Sequence, residues 1–482
     1  MNQTSTTLGT ILAGSSVKFG TSGLRGLVAD LESHLVDAAT RAFLASGLAG
    51  VSGSTVFIAR DLRPSSPDIS AVVHRAIVEA GFIATDCGPV PTPALALAAQ
   101  EAAAAAIMVT GSHIPFDRNG IKFYASTGEI TKGDEAAILN QPIEGHYAYA
   151  SRADVSMSDG HEHAQTLYIE RATLLFAGLL TGQRVGVYQH SAVGRDLTVA
   201  LLEALGATVI PLGRSDTFVP IDTEAIAEED HRQCALWVTE HDLDALVTTD
   251  GDGDRPLLGD DEGRYFRGDE LGILAARYLR ADTVVTPATS ISSVETVGWF
   301  DRVARTRVGS PYVLAAMEKS DADRTVGFEA NGGFLVQNDM TIENGTLARL
   351  ATRDAILPVL SCFAFARELE RPLSGLRDLL PARNLQSSCL RDVAAERSAA
   401  LASKLKDASQ GESFFADMTL PYQLDLSDGL RFSFSDGEIV HIRPSGNAPE
   451  LRLYIEADTA IRTSEVTDKI AARLEETLSD LG

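Results

Sequence analysis

The chain has 482 residues, 45% of them hydrophobic and 22% charged, a composition that fits a globular protein and excludes disorder. One hydrophobic core does not serve a chain of that length, so several domains are expected. A formal net charge of −25 repels phosphate backbones and anionic lipid, which excludes nucleic acid and membrane as expected partners. An anionic small substrate would need locally gathered Arg and Lys, so basic residues in polar loops are informative here. The four cysteines, Cys87, Cys234, Cys362 and Cys389, show no pairing or metal-ligand spacing and read as reduced thiols. Met1–Ser16 has no signal-peptide pattern, and the longest apolar tract, Ala94–Val109, is broken by Gln100-Glu101. A cytoplasmic protein is expected.

In chain order, Thr55–Ala59 is a β-branched run. Ser65-Ser66-Pro67 then opens a helix whose Ile69, Val72, Val73, Ala76 and Ile77 share one face, Gly81 ends it, and Phe82–Thr85 makes the next strand. That strand, helix, strand grammar implies a parallel right-handed crossover. It returns at Val185–Tyr188, Gly194–Leu205 and Thr208–Pro211, and again from Thr283 through a helix around Ser292–Trp299 to Val308-Gly309. After Pro372 the grammar changes. Leu430–Phe434 and Glu438–Ile442 flank the turn Ser435-Asp436-Gly437, Leu451–Ala457 alternates, and a last helix carries Val466, Ile470, Leu474 and Leu478 along one stripe. The fold class is therefore α/β: three similar mixed-sheet domains, 1–155, 156–260 and 261–372, and a C-terminal α+β domain, 373–482.

Five polar, glycine-marked loops carry the chemistry. Phe19–Gly26 offers backbone amides and the forked donor Arg25 to an anion. The apolar run Ala104–Val109 ends at Thr110-Gly111, which places Ser112 just past the carboxyl end of a strand. His113 follows as a possible base, Asn119 as an amide and Lys122 as a cation. In Asp250-Gly251-Asp252-Gly253-Asp254-Arg255, three carboxylates alternate with glycines and require a hard cation. An EF-hand calcium loop is disfavoured, because its positions for Gly and Glu hold Arg255 and Asp261, and Mg²⁺ is expected over Ca²⁺ because three carboxylates leave room for water and a phosphate oxygen. Glu329 and Asn331, in Gly327–Gly333, suit sugar hydroxyls. Arg443-Pro444-Ser445-Gly446-Asn447 forms a phosphate cradle. His161 and His163 flank Glu162 in what reads as a surface loop, without a third metal ligand.

Taken together and in this order, the five loops resemble those of the α-D-phosphohexomutases, the phosphomannomutase and phosphoglucomutase superfamily, over almost the whole chain. The resemblance implies four domains around a central cleft, acting on a hexose phosphate as a monomer or homodimer. It implies that Ser112 is the phosphoserine, that Asp250, Asp252 and Asp254 hold Mg²⁺ against its phosphoryl oxygen, and that Arg25, Lys122 and Arg255 complete the positive surround. His113 and Lys122 are its candidates for proton transfer, Glu329 and Asn331 for sugar contact, and Arg443, Ser445, Gly446 and Asn447 for the distal phosphate. The activity implied is interconversion of hexose 1-phosphate and 6-phosphate, of mannose or glucose, with a hexose 1,6-bisphosphate as intermediate and activator. Phosphoglucosamine mutase, a phosphatase and a catalytically idle sugar-phosphate-binding protein are the alternatives. Three departures bear on the sugar: Ile114 where the family often has Asn, Asn331 in place of Ser, and Asn447-Ala448 in place of Thr-Glu.

Overall fold

The computed structural model describes residues 6–20, 23–143, 158–445 and 450–480. In it the β-branched run at Thr55 is a strand, Thr55–Arg60, buried from Val56 to Ala59. Ser66–Glu79 follows as a helix with Pro67 in its first turn, where a missing N–H breaks no helical bond. Its Ile69, Val72, Val73 and Ile77 share one core with Val56 and Ile58. Gly81, at φ +85°, ends that helix, and Ile83–Asp86 pairs parallel with Thr55–Arg60. Ala105–Val109 pairs parallel on the other side. The full sheet runs Lys18–Phe19, Leu24–Leu27, Arg118–Ala125, Ala105–Val109, Thr55–Arg60, Ile83–Asp86, Ser158–Asp159, with Gly128–Glu129 beside Arg118–Ala125.

Asn119-Gly120 lies in the strand Arg118–Ala125, antiparallel to Ala105–Val109 with Lys122 opposite Met108. Gly120 permits this close approach, since a Cβ there would sit 2.3 Å from the Leu24 carbonyl oxygen. Asn119 donates from its amide to the Ser65 and Ser66 hydroxyls at 2.8 and 3.0 Å.

The second unit of this grammar is Arg184–Tyr188, helix Arg195–Ala204 and Thr208–Leu212. Its sheet runs Thr208–Leu212, Arg184–Tyr188, Ala245–Thr249, Pro256–Gly259; the first three strands are parallel and the last antiparallel. The acidic turn is thus the loop of a hairpin, joining Ala245–Thr249 to Pro256–Gly259. A further hairpin, Thr325–Phe328 with Phe334–Val336, presents Glu329–Gly333 at its tip, and Leu350–Asp354 pairs antiparallel with its second strand. His161 and His163 begin a helix, His161–Phe176, rather than occupying a loop: Asp159 accepts from the His161 backbone N–H at 2.9 Å and fixes the helix entry.

By contact the chain divides into two compact units, Met1–Val284 with Gly309–Arg377, and Val285–Val308 with Asp378–Gly482. Everything above from Thr55 to Thr249, and the hairpin carrying Glu329, belongs to the first. In the third copy the helix is a single turn, Ser293–Thr296, because Gly298 adopts φ +67° and stops it before Trp299. The second unit holds the antiparallel sheet Asn384–Arg391, Glu450–Ala457, Ile439–Pro444, Leu430–Phe434, Tyr422–Asp425. Gly437, at φ +88°, makes its central hairpin, and Leu430 faces Ile442 across it. Val466, Ile470, Leu474 and Leu478 of the helix Ala460–Asp480 bury into this unit's core with Phe432 and Leu453. Among the described residues, no helix is long and apolar enough to cross a membrane.

Candidate active site

Ser112 stands past the strand Ala105–Val109 in the left-handed backbone region, φ +54°, which costs a non-glycine residue roughly 1 kcal/mol. Two things hold it there. Its N–H donates to the Thr110 hydroxyl at 2.8 Å, and its carbonyl accepts from Arg63 Nη2 at 2.8 Å. Ser112 is fully buried, and its hydroxyl donates to Asp250 Oδ2 at 2.7 Å, bringing the serine loop onto the acidic turn.

Asp250, Asp252 and Asp254 have no solvent exposure, and one oxygen from each lies within 4.8 Å of the others. The turn leaves particular oxygens open. Lys122 Nζ and the Thr92 hydroxyl both take Asp252 Oδ2, at 2.5 and 2.8 Å, and Asp252 Oδ1 accepts no hydrogen bond. Likewise Lys122 Nζ and Arg353 Nη2 take Asp254 Oδ2, both at 2.8 Å, and Asp254 Oδ1 accepts none. Buried carboxylate oxygens without donors are costly unless a cation uses them, so these residues fit a hard metal ion. Burial, reinforced by Asp252 and Asp254, pushes the Asp250 carboxyl up to about 8. Burial would raise Asp254 as well, but Arg353, Lys122 and Arg255 hold it well below the usual carboxylate range.

The cations are gathered from separate elements. Lys122 projects from the strand Arg118–Ala125 and is 2% exposed. Arg25 lies on Leu24–Leu27 opposite Gly120; burial and then Arg255 lower it to about 10, and its Nε has no hydrogen-bond partner. Arg255 Nη1 donates to His113 Nδ1 at 2.7 Å, and its Nε lies 3.6 Å from Asp254 Oδ1. His113 Nδ1 is 3.4 Å from the Ser112 hydroxyl. Because Arg255 can only donate, that Nδ1 must accept, which makes His113 the neutral tautomer protonated at Nε2. Burial, then Arg255, pushes its pKa down to about 3, in agreement with that geometry.

Glu329 and Asn331 are both nearly buried in the same unit. Glu329 Oε2 accepts from Arg353 Nη1 at 3.1 Å. Asn331 Oδ1 accepts from the Gly333 N–H at 3.0 Å, which leaves its NH₂ as the group to offer a ligand. In the second unit Arg443 Nε lies 2.9 Å from Asp428 Oδ2, and the Ser445 N–H donates to the Glu450 carbonyl at 2.8 Å. Gly446 and Asn447 lie outside the described residues, as do Thr21 and Ser22 of the Arg25 loop.

Four residues of this constellation are absent from the sequence reading. Arg63 is 1% exposed and gathers the serine loop, donating to the carbonyls of Ser112, Ile114, Pro115 and Arg118 at 2.5 to 2.9 Å. Asp61 holds its Nε at 3.2 Å and also accepts from Thr110 at 2.7 Å. Arg353 and Thr92 are the carboxylate pins described above. The loop uses the Ile114 backbone, so the side-chain departure at that position does not break this contact. For Arg353 the available signal was a cation inside a run that is otherwise buried, Leu350–Asp354 and the apolar helix after it, where a charge must be paired.

Comparison with known proteins identifies the family. Phosphoglucomutase/phosphomannomutase models match residues 16–147 (alpha/beta/alpha domain I), 267–383 (alpha/beta/alpha domain III) and 392–473 (C-terminal domain). A phosphomannomutase of Sinorhizobium fredii is 44% identical over 92% of this chain and 95% of its own. One of Salmonella muenchen is 41% identical over 96% of this chain and 97% of its own. The crystal structure of a phosphoglucomutase/phosphomannomutase family protein from Burkholderia thailandensis shares the fold, with a TM-score of 0.74 and 20% identity over 95% of this chain and 97% of that one. The chain belongs to the phosphoglucomutase/phosphomannomutase family. It is accordingly an isomerase, a phosphomutase interconverting hexose 1-phosphate and hexose 6-phosphate.

Proposed function

We propose that Ser112 carries the phosphoryl group, that Asp250, Asp252 and Asp254 hold Mg²⁺ beside it, and that the preferred substrate is a mannose phosphate. The observation that carries this reading is the 2.7 Å bond from the Ser112 hydroxyl to Asp250, which sets a nucleophile-type oxygen on a three-carboxylate turn. Mg²⁺, when bound, supplies charge stabilisation for the phosphoryl oxygens. The protein's share is alignment and charge. The left-handed backbone at Ser112 aims its oxygen, and Arg25 and Arg255 keep Nε–H groups without hydrogen-bond partners for an incoming anion. In the first half-reaction the P–O bond to Ser112 breaks as a bond forms to the free sugar hydroxyl. The hydroxyl proton leaves, the serine oxygen takes one up, and a hexose 1,6-bisphosphate results. Reversal at the other phosphate restores the phosphoserine. His113 Nδ1 lies 3.4 Å from the serine oxygen, and it serves proton movement once Arg255 Nη1 releases its lone pair. Lys122 holds Asp252 and Asp254 in place. Glu329 and Asn331 take sugar hydroxyls, and Arg443, Ser445, Gly446 and Asn447 grip the phosphate that is not reacting.

Mannose is chosen because both full-length relatives at 41% and 44% identity are phosphomannomutases. A catalytic trace of the bisphosphate is the expected activator. We place the protein in the cytoplasm as a monomer or homodimer; its four free cysteines, three of them buried, suit a reducing compartment. The test combines turnover with intact mass. Mannose 1-phosphate, Mg²⁺ and a trace of hexose 1,6-bisphosphate should yield mannose 6-phosphate, with a phosphoryl adduct on the wild-type chain that is lost in Ser112→Ala. An adduct that persists in Ser112→Ala overturns the assignment of the serine. A higher kcat/KM for glucose or glucosamine 1-phosphate overturns the assignment of the sugar.

A further inference from the structure

Arg353 lies on the strand Leu350–Asp354, 2% exposed, with one arm on each of two loops. Nη2 donates to Asp254 Oδ2 at 2.8 Å, and Nη1 donates to Glu329 Oε2 at 3.1 Å. The fit is close along the stem too. A Cβ on Gly333, at the tip of the hairpin that carries Glu329, would sit 2.4 Å from Arg353 Cδ and 3.0 Å from Cγ, so glycine at that position makes room for this side chain. One planar guanidinium therefore spans the acidic turn and the Glu329 loop with a separate nitrogen for each, whereas a lysine offers a single nitrogen.

We propose that Arg353 is a positioning residue that couples the two loops with opposite signs: its fork fixes Glu329 for the sugar, while its charge weakens the acidic turn's hold on a divalent cation. This rests on the reading of Asp250, Asp252 and Asp254 as the metal site and of Glu329 as the sugar contact. The two effects separate by chemistry. Lys122 also pins Asp254 Oδ2, at 2.8 Å, so loss of Arg353 leaves Asp254 Oδ1 still presented while removing a unit of positive charge from beside the ion. Glu329 loses a partner that sets its orientation. A change that disordered the site would weaken both ligands, whereas this coupling strengthens one and weakens the other.

The experiment uses the full-length chain with Arg353→Met and Arg353→Lys. Binding of Mg²⁺ alone is measured by calorimetry and of Mn²⁺ alone by electron paramagnetic resonance, beside kcat and KM for mannose 1-phosphate and a thermal melt. In Arg353→Met the metal Kd should fall by at least about fivefold, a modest effect for a unit charge at salt-bridge range of a divalent ion, while KM rises about tenfold. Arg353→Lys keeps the charge and loses the fork, so its metal Kd should stay within about twofold of wild type while KM rises as in the methionine variant. Weaker metal binding together with a higher KM in both variants would make Arg353 merely structural and overturn the proposal. So would unchanged metal binding in Arg353→Met. Should that variant fail to fold, unchanged KM in Arg353→Lys is enough to overturn it. Asp252→Asn separates the two failures: if it leaves metal binding intact, the metal site is misassigned. If it weakens the metal and the Arg353 variants match wild type, only the coupling fails.

Discussion

Replacing Arg63 by Met tests whether one buried guanidinium holds the serine loop. Of the four carbonyls it serves, those of Ile114, Pro115 and Arg118 belong to residues that keep some exposure, so water can replace the lost donor at little cost. The Ser112 carbonyl belongs to a fully buried residue and loses its donor outright, which costs about 1–3 kcal/mol. Asp61, 2% exposed, loses its counter-charge, an effect of about 3–5 kcal/mol when a buried pair is broken. Part of that is recovered, because the Ser66 and Thr110 hydroxyls still donate to Asp61 at 2.5 and 2.7 Å, and burial already pushes its carboxyl toward the protonated form. The expected loss is about 4–6 kcal/mol by urea unfolding, with kcat falling at least about a hundredfold as the backbone at Ser112 relaxes from φ +54°. The double variant Asp61→Asn/Arg63→Met should regain about 2–3 kcal/mol of that stability, because the orphaned charge is gone, but none of the kcat. An Arg63→Met protein within about 1 kcal/mol of wild type and fully active would refute the reasoning.

The legible part of this site is the part that stands in turns at strand ends. Ser112, Asp250, Asp252 and Asp254 stand in short glycine-marked turns after apolar strands, and both turns fall at strand ends, where the period-two and buried-run patterns stop. The parallel crossovers at Thr55–Asp86 and Arg184–Leu212 were legible for the same reason: β-branched runs, a proline- or glycine-led helix and a terminating glycine agree locally. What sequence could not show is which long side chains reach between loops. Arg63 sits in Asp61-Leu62-Arg63-Pro64, an ordinary strand-to-helix connection, and besides Asp61 its partners are four backbone oxygens some fifty residues away that leave no side-chain signature. Arg353 lies in the mixed strand Leu350–Asp354, where a buried charge demands a partner but the sequence does not say which loop supplies it. Asn119-Gly120 carries little signal, because glycine in a close-packed strand and glycine in a turn look alike until the neighbouring carbonyl of Leu24 is placed. The one-turn helix Ser293–Thr296 shows the opposite failure, a helix reading carried too far past Gly298.

The same loop can be attacked from its other side. A Cβ at Gly111 would lie 2.6 Å from Arg63 Cζ and 2.8 Å from Nε, so Gly111→Ala should displace the guanidinium and lower kcat at least about tenfold with little change in KM; steady-state kinetics showing a wild-type kcat would mean the loop tolerates the shift. Acid stability of the second unit gives an independent check through His441. Its ring Nε2 donates to the Asp428 carbonyl at 2.6 Å, Tyr454 stacks on it with centroids 5.5 Å apart, and the charged groups about it are Asp428, Arg431 and Arg443. Burial pushes this histidine from 6.5 down to about 4 in the folded chain, with Arg431 and Arg443 acting in the same direction and Asp428 against them. The unfolded chain therefore binds a proton that the folded chain refuses between those two values, so stability rises with pH and is lost as pH falls from 6.5 toward about 4. Urea unfolding of the second unit, followed by hydrogen exchange at pH 7 and pH 5, should show a loss of about 1–2 kcal/mol by pH 5. His441→Gln keeps a donor for the Asp428 carbonyl and cannot titrate, so it should flatten that dependence; a slope as steep as wild type would locate the acid sensitivity elsewhere.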